Sequence, residues 1–367
     1  MQQLVSRNIH IVKGKVARWA HVGLPEGTYE EEWGRYGFSG PVTHIYHLNP
    51  PTGWIDIQGP LRPHAFSPLE LEVPDGGRTI FLYNEDVSLG IGRVETPWQG
   101  WFFRNGDADE ILFVHKGTGR LETHLGPLPY REGDYLYLPR GTTYRFIPQE
   151  PTLLLTIEAF SGPIQQPDRG LIGQHALYDP AVLQYPEPSP VSDSGPWQIK
   201  IRRCGEITTF TYPFHPMDAV GWKGDNAPFR LSIYDICPIN SHRMHLPPPA
   251  HTTFVGVNFV MCTFLPRPLE TEPGAVKVPF YHSNVDYDEV LFYHSGQFFS
   301  RAGIREGMVT LHPSGFPHGP HPKAVRRSEE LTFTNEAAVM LDTRKPLKIT
   351  PEGEKVEWKD YWKSWME

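Results

Sequence analysis

The chain has little cysteine, no basic block and no long apolar run, and each shortage closes off a class of protein. Three cysteines (Cys204, Cys237 and Cys262) among 367 residues are too few and too scattered for a disulfide framework or a cysteine metal knot. They are expected to be thiols of a reducing compartment. Lysine and arginine number 34 against 42 aspartates and glutamates. Without a positive footprint, neither nucleic acid nor an anionic membrane surface is an expected partner. No apolar stretch approaches the ~20 residues of a membrane span, and the opening MQQLVSRNIHIVKGK has no apolar signal core. A cytoplasmic protein is expected.

What the chain does have is punctuation. Its 38 prolines and 34 glycines are spread evenly and separate short runs rich in valine, isoleucine, leucine, phenylalanine and tyrosine. FLYNEDVSL, EILFVHKG, DYLYLPRG, TLLLTIEAF, GVNFVMCTF and EVLFYHSG read as strands bounded by turn residues. Helical periodicity is scarce. Its clearest case is the tail WKDYWKSWME, where Trp358, Trp362 and Trp365 are spaced for one face of a short helix. The tail is expected to pack on its own barrel.

One phrase is written twice. DADEILFVHKGTG (107–119) aligns with DYDEVLFYHSGQF (286–298), pairing Glu110 with Glu289. Further on, REGDYLYLPRGTTYRF aligns with REGMVTLHPSGFPHGP, pairing Leu138 with His312 and Tyr144 with His318. Two such blocks of antiparallel strands, separated by a variable hairpin, predict an all-β bicupin: two jelly-roll barrels with few short helices. The segment YPEPSPVSDSGP (185–196) reads as their linker, giving a division into 1–185 and 186–367.

The copies differ where chemistry would sit. The second has His282, Glu289 and His318; the first has Phe103, Glu110 and Tyr144. Seven residues on a helix rise roughly 10 Å, too far for His282 and Glu289 to share an ion, and on one straight strand an odd separation puts them on opposite faces. SNVDYD between them is turn-forming, so a bend can bring them together, with His318 supplied by a later strand. Two imidazoles and one carboxylate form the set suited to non-haem Fe(II). The second barrel is thus expected to hold metal and the first to be scaffold. Strand parity turns His294, and its twin His115, away from Glu289. His312 is expected to lie behind the ligands or to face substrate. His321 reads by default as a surface-loop histidine.

PFYHSN, Glu289 and LHPSGFPHGP together resemble the ligand region of the homogentisate 1,2-dioxygenase family. HPMDAVGWKGDNAPFRL (215–231), the first-barrel block and IEAFSGPIQQPDRGLIGQHALYDPAVL (157–183) are similar to other parts of that family, so the likeness runs over residues 95–340. It implies an iron enzyme that opens the ring of homogentisate to maleylacetoacetate in tyrosine and phenylalanine catabolism. Fe(II) would be held by His282, Glu289 and His318, with dioxygen and a small aromatic substrate as partners. His245 would be the acid/base beside the ring, an alignment that His242 and His251 contest. His312, Phe280 and Phe298 would line the substrate pocket. A homo-oligomer, trimer or hexamer, is implied as well.

There are departures. The family commonly shows tyrosine at Phe280 and Phe298 and arginine at Ser283, where the substrate's acetate is held. An unpaired buried carboxylate costs several kcal/mol. Either Arg301, Arg305 or Lys323 replaces the lost donors, or the substrate is gentisate or another hydroquinone. A metal-binding cupin isomerase or a small-ligand binding protein is the alternative from another class.

Overall fold

The computed structural model describes residues 11–277, 280–298, 301, 303–321 and 330–366. Asp109–Lys116, Asp134–Leu138, Thr152–Ala159 and Asp288–Ser295 are strands as their sequences predict. Two other predicted strands turn inside. FLYNEDVSL divides between Gly77–Tyr83 and Val87–Val94. There the side chain of Asn84 accepts from the backbone N–H of Asp86 and Val87 at 2.8 and 2.9 Å, a local bond that competes with the sheet. GVNFVMCTF folds as parts of Thr252–Gly256 and Phe259–Phe264. Asn258 takes φ 62° between them, a left-handed conformation that asparagine tolerates.

The strands build two barrels with one strand order. In the first, a sheet runs Phe229–Ser232, Asp134–Leu138, Asp109–Lys116, Thr152–Ala159, Val87–Val94, Gly77–Tyr83, with Lys348–Ile349 added at the edge. In the second, His64–Phe66, Val309–His312, Asp288–Ser295, Ala337–Thr343, Phe259–Phe264 and Thr252–Gly256 repeat that order. The molecule is an all-β bicupin. Among the described residues the α-helix is confined to Pro351–Lys355, and no helix is long and apolar enough to cross a membrane.

We propose that the two folding units divide near residue 185; their sheets exchange strands across that point. Phe229–Ser232 extends the first barrel's sheet and His64–Phe66 extends the second's. A hairpin does the same on the opposite wall. Ser194–Arg203, with Glu206–Phe214, lies parallel to Trp101–Asn105. Tyr29–Gly34, with Val42–His47, lies parallel to Tyr281–Asn284. Residues 29–66 are therefore to the second barrel what 194–232 are to the first.

Between the barrels lies a continuous apolar core. Phe113, Tyr135, Phe254, Val290 and Phe292 belong to it, each almost fully buried. His115 and His294 lie in the same layer, Nδ1 to Nδ1 at 3.0 Å, with the Phe113 ring 4.9 Å from that of His294. These two histidines face the partner barrel, turned away from Glu289 as strand parity predicts. The tail departs from its predicted helix. Tyr361–Trp365 is a 3-10 helix, Trp358 precedes it and stays partly exposed, and Trp362 and Trp365 are buried. Trp365 packs on Trp54, His312 and His321, with ring centroids 5.7, 6.2 and 4.1 Å apart. His321 is accordingly buried, not a surface residue.

Candidate metal centre

The second barrel brings His282, Glu289 and His318 together from three places. Asp288–Ser295 starts with Glu289 facing inward, paired across strands with His312 on one side and Asp342 on the other. His282 and His318 form a bridge of two backbone hydrogen bonds, each 2.9 Å, so their side chains share a face. Gly319 permits that approach: a Cβ there would lie 2.9 Å from the Tyr281 ring and 3.0 Å from the Phe280 carbonyl oxygen. Nε2 of His282 stands 3.6 Å from Glu289 Oε2, and Nε2 of His318 stands 3.5 Å from it. Those spacings exceed hydrogen-bond length. Neither ring nitrogen of His318 has a hydrogen-bond partner, though both are buried.

The electrostatics suit a cation. Burial pushes the Glu289 carboxyl up, yet His318, His282 and His312 outweigh it and hold the group well below the usual carboxylate range. Burial, with neighbouring His282, lowers His318 to about 4, and burial lowers His312 to about 3. Neutral imidazoles facing one carboxylate are the protonation states that ligate metal. His282 is also oriented: its Nδ1 meets the Phe280 carbonyl oxygen at 2.9 Å, which leaves Nε2 for the carboxylate side. A buried nitrogen left without a partner is costly. The donor set and the orphaned His318 nitrogen therefore fit Fe(II).

The first barrel shows the same frame filled differently. Glu110 pairs with Leu138 and Glu158 where Glu289 pairs with His312 and Asp342. Phe103 pairs with Tyr144 where His282 meets His318. Here Arg78 supplies the cation. Its Nη1 lies 2.5 Å from Glu110 and 3.1 Å from Glu158, and its Nη2 donates to the Tyr144 hydroxyl at 3.0 Å. Arg202 adds a second ion pair to Glu158. Among the described residues no lysine or arginine makes an ion pair with Glu289 or Asp342. Burial and the nearby Glu289 push the Asp342 carboxyl far up, so Glu289 carries the charge of that pair.

Around the triad the other predicted residues take distinct places. His312 Nδ1 meets Glu289 Oε1 at 2.9 Å, behind the oxygen that faces the two histidines. Phe280 is buried, its ring 5.4 Å from His282 and 5.3 Å from His245. Of the three contending histidines, His245 is thus the one set against Phe280. Its Nδ1 stands 3.6 Å from Glu270 Oε1, and burial lowers its basicity against the opposing pull of that carboxylate. His242 is exposed, and His251 is buried with its ring 5.1 Å from Phe264. Phe298 packs on Tyr293 in the barrel core, ring centroids 4.8 Å apart. Ser283 turns to the opposite face and donates to Glu31 at 2.6 Å. Arg301 is buried and donates to the Gly319 carbonyl oxygen at 2.8 Å, whereas Arg305 is exposed. Lys323 lies outside the described residues. Glu270 and Asp342 were not singled out by sequence; each is marked only by its cross-barrel neighbours.

A family model described as "Homogentisate 1,2-dioxygenase N-terminal" matches residues 85–236. A protein of Saccharolobus solfataricus named "Putative dioxygenase SSO1533" is 34% identical over 358 residues, 92% of each chain. The chain belongs to the homogentisate 1,2-dioxygenase family. It is a dioxygenase-type enzyme by that membership. Two homogentisate 1,2-dioxygenases, from Bradyrhizobium diazoefficiens and Rhizobium leguminosarum bv. trifolii, are 24% and 25% identical over 68% and 72% of this chain. The chain spans 58% and 62% of their lengths. Among solved structures, a cupin 2 conserved barrel protein from Leptotrichia buccalis overlaps 75% of the chain and 92% of its own at 10% identity, with a TM-score of 0.33.

Proposed function

We propose that the protein is an Fe(II)-dependent dioxygenase that cleaves the ring of a hydroquinone-type aromatic acid, with homogentisate the first candidate. The observation that carries this reading is the exchange between barrels. Where Arg78 neutralises Glu110, the equivalent Glu289 faces two imidazoles spaced for an ion. His282, Glu289 and His318 would hold the iron. Bound there, Fe(II) supplies a Lewis acid and the one-electron chemistry that lets dioxygen react with a closed-shell ring.

The chain's own groups do the rest. A cavity of about 700 Å³ is walled by Glu30, Glu270, Lys277, Phe280, Tyr281 and Pro320, a volume ordinary for a small-molecule site. The Phe280 ring offers a flat face to an aromatic substrate. Lys277, in the same wall, is the cation proposed to meet its carboxylate. His245, oriented by Glu270, takes the proton of the phenolic hydroxyl, a role its lowered basicity allows at neutral pH. His312 pins the far oxygen of Glu289 so that the near one keeps its direction. The buried setting of His318 and Glu289 keeps bulk water away from the reacting oxygen species.

The test is oxygen uptake by the anaerobically Fe(II)-loaded protein, given homogentisate, gentisate and hydroquinone in parallel, with His282→Ala as control. Uptake with homogentisate that disappears in the variant is the expected result. Uptake with another of the three keeps the iron and replaces the substrate. Absence of uptake with all three, despite bound iron, overturns the reading.

A further inference from the structure

The residues ahead of the first barrel bring a second set of metal-type donors to the wall that carries the first. Glu32 is the cross-strand partner of His44 on one side and of His282 on the other, and His318 continues the row through its bridge to His282. Cross-strand partners share a face. His21, held at φ 61° in the segment before these strands, folds over the row. Its Nε2 stands 2.9 Å from Glu32 Oε2 and its Nδ1 stands 2.6 Å from Glu30 Oε1. Its ring lies 5.1 Å from that of His44 and 4.3 Å from that of Phe280. One ligand atom from each of His21, Glu32 and His44 falls within 4.8 Å of the others.

We propose that His21, Glu32 and His44 form a second site for a divalent first-row transition-metal ion, with Glu30 available as a further carboxylate donor. Three independent observations carry it. Two glutamates are buried here, and among the described residues neither makes an ion pair with lysine or arginine; their ionic partner is His21. One imidazolium leaves one negative charge over, and a buried unpaired charge is costly; a divalent ion balances both. Second, Nε2 of His44 is buried and has no hydrogen-bond partner. Third, the repeat puts residues of other chemistry in these places. Lys200 faces Phe103 as Glu32 faces His282, and Thr209 faces Lys200 as His44 faces Glu32. Lys200 lies 4.1 Å over the Trp101 ring, and among the described residues no donor set forms there. The barrel without the first triad lacks the second as well. Imidazole and carboxylate ligands together suit Mn(II), Fe(II) or Zn(II).

The competing occupant is a proton on His21, and a metal count separates the two. The full-length protein, stripped with chelator, is titrated anaerobically with Mn(II), and bound metal is counted by mass spectrometry after gel filtration. Two ions per chain are expected. Glu32→Gln and His44→Ala should each remove one and leave the other, and His282→Ala should remove the one they leave. Saturation at one ion that only His282→Ala abolishes overturns the proposal, as does a second ion indifferent to Glu32→Gln and His44→Ala. Should those variants fold poorly, anomalous diffraction from wild-type crystals soaked in Mn(II) decides instead. A peak between His21 Nε2 and Glu32 is expected, and its absence while the His282 site is filled overturns the proposal. The readout is metal content, so it stands apart from whether the enzyme cleaves homogentisate.

Discussion

His312 Nδ1 lies 2.9 Å from one oxygen of Glu289, while the other oxygen faces His282 and His318. A single buried imidazole thus sets the direction of the carboxylate that the two others share. Replacing it with leucine, the residue at this place in the first barrel, frees Glu289 to rotate. His312→Leu is expected to weaken Fe(II) affinity roughly 10–100-fold, the usual cost of losing such an orienting partner. Competition against a chromogenic chelator measures it, and an unchanged affinity would show that the contact is incidental.

His318→Tyr recreates the pairing of Tyr144 with Glu110 without its arginine. Iron content should fall to background and oxygen uptake with it, while the β-rich circular dichroism spectrum persists. Retention of stoichiometric iron in a folded variant would remove His318 from the ligand set.

Arg78 is the stabilising cation of the first barrel, holding Glu110 and Glu158 together. Arg78→Met leaves buried carboxylate charge behind, and a loss of about 3–5 kcal/mol in unfolding free energy is expected. Denaturant titration reads it. Adding Glu110→Gln should recover part of the loss, because the charge left over is then removed. Iron stoichiometry of the folded fraction should not change, since the second barrel's triad is untouched.

The histidine pair between the barrels predicts acid sensitivity. Burial lowers His115 to about 4 and His294 to about 3, against an ordinary value of 6.5. Their folded-state values are depressed, so the unfolded chain binds protons that the native one refuses. Stability contributed by the neutral pair is present above pH ~6.5 and is lost as pH falls toward the folded values, at most about 1.4 kcal/mol per pH unit per histidine. His115→Gln should flatten this slope between pH 6.5 and 4. An unaltered pH profile would place the acid sensitivity elsewhere.

Legibility differed by region for physical reasons. The repeated blocks could be aligned because inward carboxylates, turn glycines and strand parity leave a period in the chain. From that alignment the contrast between His282, Glu289, His318 and Phe103, Glu110, Tyr144 followed directly. The hairpin 29–47 could not be matched to 194–214 this way. YEEEWG and the WQIKIR of its counterpart share a place in the topology, not side chains, and the parallel pairings that equate them join strands far apart in the chain, Glu31 with Tyr281 in one barrel and Gln198 with Trp101 in the other. Arg78 was invisible for the same reason: nothing near it in sequence marks it as the partner of Glu110 and Glu158.

Local sequence alone determined the strand class, the double-barrel plan and which copy carries metal-type residues, because strand periodicity and turn chemistry act over a few residues. Only the tertiary structure decided what neutralises each buried carboxylate. It set a guanidinium from a strand further along the same sheet in one barrel, and two imidazoles with a third behind them in the other. It also placed the row from His44 through Glu32 to His282, which joins residues more than two hundred positions apart. Charges buried in low dielectric must be matched by whatever lies within a few ångströms, and strand order, not spacing along the chain, decides what lies there.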